Sequence, residues 1–469
     1  MPGGHALTGR DGAVPSERAI LLTVVLGTML VPLNSTMIAV ALPRLIADFH
    51  ASLSSAGWLV TGYLIAMASL QPVAGRLGDR TGRRPLVIGG LALFAGASLA
   101  AALAPDLQLL IAFRIAQGIA GALAFPNAIA LLREFAPPGK LPSRLGLVGA
   151  TLPLAAAAGP LVGGLLLSIG GWRLIFLLNL PILAVALVLG WHTIPHVHRE
   201  PKSEPFDTAG AVLLSALLVA GAWMLIQGTG HAAGIAAIGV AVLAAPLLLV
   251  QELRHPHPLL QPRLFARPPF LAANGGVALS NLAMYVTLFA LPLLLGRRGG
   301  WSSTGIGLAL ATLSLSTFAF SPIGGRFAER LGTRLPATVG LTILTASLVP
   351  LAIAPATISQ PALIGMLVGA GAGLGLSSAP LQTAALESVE LTATGVASGI
   401  FSTSRYLGSI TGTALLAGPL APAAVGFRDF RTLFIALVAA AAGSALLATA
   451  LPSKQTHRRL LRVRPTSNS

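Results

Sequence analysis

The sequence predicts an all-α polytopic membrane protein. Three observations carry that prediction. The chain of 469 residues is 54% hydrophobic and 9% charged, with a mean hydropathy of +0.82, whereas a soluble domain carries about 25% charged residues. Its apolar residues fall in long runs, each near the ~20 residues that a helix needs to cross a bilayer. A charged, glycine-rich segment occurs twice in register: QPVAGRLGDRTGRR at 71–84 and SPIGGRFAERLGTR at 321–334.

Fourteen spans are expected, at about 19–42, 54–74, 85–104, 107–132, 143–168, 173–191, 208–227, 233–251, 270–295, 303–324, 335–354, 360–381, 394–417 and 430–451. The runs are long and lack a period of two, which favours helices over barrel strands. The first run is too long for a signal-peptide core, and VPLNSTMIAVALP is a poor cleavage site, so it reads as a retained span. Of the 30 Lys and Arg, 22 fall in segments on the side of the N-terminus and six on the other; Arg114 and Arg405 lie inside spans. Positive residues stay in the cytoplasm, so both termini are expected there, in a cell membrane. The net charge of +16 sits in short loops, which points to anionic lipid headgroups and not to nucleic acid.

The repeat pairs Pro72 with Pro322, Gly75 with Gly325, Asp79 with Glu329, Arg80 with Arg330 and Gly82 with Gly332. Two halves of like topology about an axis normal to the membrane would place both copies in short cytoplasmic turns. Gly75, Gly78 and Gly82 permit a tight turn and close helix approach. Asp79 suits the N-terminus of a helix in the other half, and Arg80, Arg83 and Arg84 suit a carboxylate or lipid phosphates. With Glu329 and Arg330 they form a candidate latch between halves. A plain positive anchor needs only the basic residues, not the recurring acid and glycines.

GRLGDRTGRRP resembles the loop signature of the major facilitator superfamily. RIAQGIAGAL from Arg114 resembles its fourth-helix motif, and GLVGATLPLAAAAGPLVGG, Gly146 to Gly164, resembles the fifth-helix motif of its antiporters. GWRLIFLLNLPI at 171–182, WLVTGYLIA at 58–66 and GVASGIFSTSRYLGSITGTA from Gly395 are similar to the fourteen-helix drug:proton antiporter branch of EmrB/QacA type. The resemblance implies a major facilitator fold: two six-helix bundles with two inserted central helices. The corresponding division is a tail at 1–18, a bundle at 19–195, inserted helices and linkers at 196–268, a second bundle at 269–452 and a basic tail at 453–469.

The antiporter-type helix contributes Gly146, Gly159, Pro160, Gly163 and Gly164. The resemblance implies a bent helix that seals the cavity, which Gly-Pro-x-x-Gly-Gly favours over ordinary small-residue packing, though the two are compatible. Arg114 and Arg405 lie at membrane depth, where an arginine is costly and faces a cavity or a partner. Cavity candidates are Asn34, Thr61, Tyr63, Gln71, Gln117, Asn127, Asn281 and Tyr285. Tyr63 and Tyr285 can stack a flat ligand; interhelical hydrogen bonding serves each of these residues as well. The five tryptophans fall mainly near span ends, where an interface belt explains them.

Asn34 departs from the resembled branch, which carries an acid there. Asn cannot titrate. The 14 acids all fall in loops, tails or helix ends, with Glu387 and Glu390 nearest the hydrocarbon. The field of the bundle therefore favours neutral or anionic cargo, and Glu387, Asp48, Asp106, the cargo's own proton or no proton at all remain as coupling routes. The chain has no cysteine, His192, His196 and His198 lack a matched ligand pair, and no Walker loop or nucleophile–base pair is present. No metal, cofactor or enzyme activity is expected. The resemblance implies secondary active export of small amphiphilic molecules by alternating access. A facilitator or importer, and a non-transporting receptor or scaffold, are the alternatives.

Overall fold

The computed structural model describes residues 17–135, 141–195, 207–227, 232–256, 258, 261–298, 300–355, 357–389, 394–417 and 427–453. The expected tails lie almost wholly outside these residues, as do His196 and His198. Among the described residues the elements are helices: α1 (Glu17–Asp48), α2 (Leu53–Thr81), α3 (Arg83–Ala102), α4 (Leu107–Phe135), α5 (Leu141–Gly170), α6 (Arg173–Leu177), α7 (Asn179–Thr193), α8 (Thr208–Gln227), α9 (Ala232–Arg254), α10 (Pro268–Arg298), α11 (Ser303–Leu331), α12 (Arg334–Ile353), α13 (Gln360–Glu387), α14 (Thr394–Ala417) and α15 (Phe427–Ala448), with a 3-10 turn at Pro262–Ala266.

The 250-residue offset governs element boundaries as well as the repeated motif. α2 and α11 are each 29 residues long. Ser52 caps α2 by accepting the Ser55 amide at 3.1 Å, and Ser302 caps α11 by accepting the Gly305 amide at 3.0 Å, each satisfying an otherwise orphaned amide. α2 ends at Gly82 with φ +89° and α11 at Gly332 with φ +82°, a conformation that side chains other than glycine resist. α1 and α10 end at Asp48 and Arg298, again 250 apart.

This corrects the expected cytoplasmic turn. Residues 71–81 and 321–331 are not loop but the last turns of α2 and α11. Leu, Arg and Glu are good helix formers, and each helix runs on past the apolar stretch until a glycine with positive φ stops it. Gly75 and Gly78 therefore lie within the helix, and the turn itself is Gly82 alone.

Twelve of the described helical stretches are long and apolar enough to cross a membrane, with α6 and α7 together forming one of them, Arg173–Thr193, against the fourteen expected. The other two helices are α5, of which Leu154–Gly170 is the apolar stretch among the described residues, and α14. Ser402, Thr403, Ser404, Arg405, Ser409, Thr411 and Thr413 dilute the hydropathy of α14. The central helices are the most enclosed. The most apolar stretch of α1 is 72% buried, that of α9 only 22%, and Val242, Leu243 and Leu247 on α9 stand exposed, as side chains facing acyl chains should.

α1 packs against α4, α5, α7 and α10, and α10 against α13, α14 and α15. Besides α1 with α10, two larger contacts join the halves: α2 with α14, and α5 with α11. α8 lies against both α2 and α14, and α9 against α8. Trp58 on α2 meets Trp223 on α8 with ring centroids 5.8 Å apart.

Candidate functional site

Arg114 sits seven residues into α4 with none of its surface exposed. Its Nε donates to the Leu59 carbonyl at 3.1 Å, and its Nη1 donates to Asn34 Oδ1 at 2.6 Å and to Gln117 Oε1 at 2.7 Å. The guanidinium carbon lies 4.3 Å from the centre of the Tyr63 ring, a cation–π contact strengthened by desolvation. Gln117 Nε2 donates to Ser98 Oγ at 2.7 Å, and Asn179 Nδ2 donates to the same oxygen at 3.2 Å. The network thus ties α1, α2, α3, α4 and α7. Four predicted residues, Asn34, Tyr63, Arg114 and Gln117, come together there. Ser98 and Asn179 escaped the sequence reading, although Asn179 lies inside GWRLIFLLNLPI.

Tyr63 is fully buried and faces Arg114, so its ring is engaged within the first half and not free for a flat ligand in this state. Asn127 on α4 donates to the Ala74 carbonyl at 2.9 Å and occupies the space beside Gly78, which explains the small residue on the facing helix.

A second set lies between the halves. Thr61 on α2 and Thr413 on α14 share a hydrogen bond of 3.0 Å. Gln71 Nε2 donates to the Tyr406 hydroxyl at 3.2 Å. Tyr285 on α10 is half-buried beside Ser35 and Ser409, within electrostatic reach of Arg405 and Tyr406, and stacks on Phe289. Asn281 donates to the Val277 carbonyl of its own helix at 3.0 Å. Arg405 is half-buried, its guanidinium carbon 5.7 Å from the Tyr406 ring. No carboxylate pairs with it among the described residues. Tyr406 and Thr413 were not among the predicted cavity residues, though both lie in the quoted α14 motif.

The antiporter-type helix makes the closest approaches. Gly159 and Gly163 face α1, where added methyl groups would crowd Thr36 and Met37. A Cβ on Gly164 would fall 2.8 Å from the Ser303 carbonyl oxygen, and one on Gly307 would overlap the Pro160 carbonyl. The surroundings of Gly146 are outside the described residues. Gly57 on α2 likewise fits against Ala417 of α14. These contacts between halves all lie at the end of the bundle opposite the chain termini.

Two of the latch candidates meet residues of the first half. Arg83 Nε is 3.3 Å from Glu134 Oε1 on α4, and Arg84 Nη2 donates to the Trp191 carbonyl on α7 at 2.7 Å. Both contacts stay within the first half, and Glu134 was not predicted. α3 begins right at the break, and its first residues turn toward neighbouring α4 and α7. The side chains of Asp79 and Arg80 lie outside the described residues. Glu329 and Arg330 are exposed, as is Gly75's open flank.

Three further readings change. Asp48 pairs with Arg44 at 3.0 Å and accepts from Trp172 Nε1 at 3.2 Å, so it works as a corner staple. Trp172 is 2% exposed and packs on Phe49 and Phe176; it belongs to that corner and not to an interface belt. Asp207 and Glu252, counted among loop and helix-end acids, are buried at 1% and 3% exposure. Asp207 Oδ1 accepts from the Gly210 amide at 2.8 Å and from Gln251 Nε2 at 2.7 Å, capping α8 against α9. Among the described residues no cluster suits a metal ion.

The family model described as Major Facilitator Superfamily matches residues 24–413 and 275–465. The chain is 34% identical over 445 residues to the uncharacterized MFS-type transporter YvkA of Bacillus subtilis, covering 94% of this chain and 98% of that one. It is 33% identical over 433 residues to the tetracenomycin C resistance and export protein of Streptomyces glaucescens, covering 91% and 80%. Its fold is similar to that of a bacterial homolog of the human lysosomal transporter Spinster, solved in an inward-facing and unoccupied conformation. That likeness has a TM-score of 0.67 at 18% identity and covers 96% of this chain and 99% of the other.

Proposed function

The chain belongs to the major facilitator superfamily, whose matched members here are multi-pass transporters and not enzymes, and from that premise we propose a secondary active exporter of small amphiphilic molecules. The observation that carries export is the 33% identity, over 91% of this chain, to a protein named for resistance and export. The interlocked α5–α11 contact supports it, because backbones that meet at Gly164, Ser303, Pro160 and Gly307 make a tight seal at one end of the path.

The reading includes fourteen crossings, as in the EmrB/QacA branch. α5 and α14 are 30 and 24 residues long and pack among spanning helices on both sides, so α5 and α14 cross with the rest. The offset of 250 then separates two six-helix bundles, with α8 and α9 inserted. The excess of Lys and Arg at the end that holds the termini puts that end in the cytoplasm of a cell membrane, against anionic lipid. With its closest backbone approaches between halves at the far end, this reading makes the structure an inward-facing state of an alternating-access cycle.

The cargo is neutral or anionic. Arg114 and Arg405 supply positive charge at depth, and Asn34 supplies none of the opposite sign. Proton coupling, if present, uses a group other than residue 34.

Proteoliposomes holding the purified chain test the proposal. Labelled neutral, acidic and cationic amphiphiles are followed with and without a pH gradient. Concentrative movement of neutral or acidic compounds out of the face bearing the termini is expected. Strong ethidium transport with indifference to acidic compounds overturns the charge assignment, and movement in the opposite direction only overturns export.

A further inference from the structure

At the end of the bundle opposite the chain termini, one turn of α5 beyond the approach of Gly164 to Ser303, a cavity of about 410 Å³ opens between the halves. The first half supplies Arg44 and Asp48 from the end of α1, residues 167–171 from the end of α5, and Trp172 and Arg173. The second half supplies Ser303, the first residue of α11. Two guanidiniums against one carboxylate leave the lining one positive charge in excess. The carboxylate is already held: Asp48 Oδ1 lies 3.0 Å from Arg44 Nε, and Oδ2 accepts from Trp172 Nε1 at 3.2 Å. Arg173 instead lies over the Trp172 ring, its guanidinium carbon 4.3 Å from the ring centre, and no carboxylate pairs with it among the described residues. Leu161, Leu165 and Ile169, four residues apart on α5, are all exposed. They form one outward stripe, which reaches the cavity wall at Ile169.

A cationic recess at the head of an apolar stripe suits an amphiphile with one negative charge. Volume argues against a bare ion: the cavity equals more than ten waters at ~30 Å³ each, and an inorganic anion would leave most of it to solvent. Geometry argues for phosphate. The donors stand on three walls, Arg44 on α1, Arg173 on α6 and Ser303 on α11, which suits tetrahedrally arranged oxygens better than a planar carboxylate, and guanidinium forks match phosphate oxygens. We propose that this cavity binds the phosphodiester headgroup of an anionic phospholipid, with an acyl chain along the α5 stripe. The single charge of a phosphodiester balances the excess of the lining. Arg44 and Arg173 belong to one half and Ser303 to the other, so the headgroup bridges the α5–α11 seam and favours the arrangement in which that seam is closed. Neither the cargo nor the direction of export enters this assignment.

The test is thermal unfolding of the full chain, delipidated in a neutral detergent. Dihexanoyl phosphatidylglycerol is titrated below its micellar concentration, beside dihexanoyl phosphatidylcholine, hexanoate and inorganic phosphate at constant ionic strength. A ligand that binds only the folded state stabilises it by mass action. Phosphatidylglycerol is expected to raise the midpoint saturably by several degrees, with half effect at a concentration at least about 10-fold below that of the other three. Arg173→Gln is expected to raise that concentration by about 10-fold or more, and Ser303→Ala by about 3- to 10-fold. Both side chains are exposed, so neither substitution disturbs the packing. A wild type indifferent to phosphatidylglycerol overturns the site. An undiminished response in Arg173→Gln places the lipid elsewhere, such as at the basic end that holds the termini, and overturns it equally. An equal response to phosphatidylcholine or hexanoate overturns the anionic phosphodiester, and an equal response to inorganic phosphate overturns the lipid in favour of a free anion. A shift with Arg173→Gln but none with Ser303→Ala overturns the bridge between halves. Because the readout is binding alone, a failed export assay leaves this result standing, and the reverse holds too.

Discussion

Thr61 and Thr413 hold hands across the two halves, hydroxyl to hydroxyl at 3.0 Å, 352 residues apart in the chain. Gly57 against Ala417 lies one turn further toward the closed end, and Gln71 to Tyr406 lies deeper. α2 and α14 thus form an antiparallel seam that must open when the bundle opens at that end. The chain has no cysteine, so Thr61→Cys with Thr413→Cys gives a clean pair for disulfide cross-linking, at positions whose γ atoms already meet at 3.0 Å. Oxidation is expected to form the bond in the resting protein and to stop transport by more than about 10-fold, with recovery on reduction. Unimpaired transport by the fully cross-linked protein would show that the seam stays shut throughout the cycle.

The second seam, α5 on α11, depends on absent side chains. Gly307→Val places a β-branched group where the Pro160 carbonyl sits. Overpacking of this kind costs about 1–3 kcal/mol in a tight interface, and here it bears on the closed state more than on either half alone. The expected outcome is a folded protein with transport reduced by about 10-fold or more, and with increased labelling of cysteines introduced along α5. A substituted protein with normal transport and normal labelling argues that the halves do not need this close approach.

What could be read from the sequence, and what could not, follows from the range of the forces involved. The repeat predicted matching helices, and the capping serines, Ser52 and Ser302, and the terminal glycines, Gly82 and Gly332, fall at matching positions because caps and positive φ are local properties. The depth of Arg114 was also legible, since composition and helix rise give it. Partners chosen in three dimensions were not. Nothing in the spacing says that Arg83 meets Glu134 or that Trp172 donates to Asp48, and burial of Asp207 depends on how α9 lies against α8. The ends of α2 and α11 were missed because charged residues signal the edge of the lipid, whereas helices stop where the backbone can turn.

Arg83 and Glu134 offer a smaller prediction. Their side chains are 17% and 23% exposed at 3.3 Å, intermediate between a surface pair and a buried one. Exposed pairs contribute about 0.2–1 kcal/mol. Glu134→Gln is expected to lower stability by about that amount, and a double-mutant cycle with Arg83→Gln should return a coupling of the same size, read from unfolding midpoints. Transport within about 2-fold of wild type is expected if the pair only braces α3 against α4. A loss of transport far larger than the loss of stability would restore Arg83 to a latch between states.

Arg405 gives the sharpest test of cargo charge. It is half-buried at the meeting of α14 with α2 and α10, near Tyr406 and Tyr285, and has no carboxylate partner among the described residues. A guanidinium so placed raises the local potential for anions and penalises cations. Arg405→Gln keeps a hydrogen-bonding side chain of similar reach and removes the charge. Transport of acidic amphiphiles is expected to fall by about 5- to 150-fold, the equivalent of about 1–3 kcal/mol for a charge-assisted contact, while neutral ones change little and cationic ones improve. The ratio between acidic and neutral cargo is the measurement that counts, because misfolding lowers both together. If the ratio stays constant in a folded Arg405→Gln protein, Arg405 braces helices and the selectivity lies elsewhere.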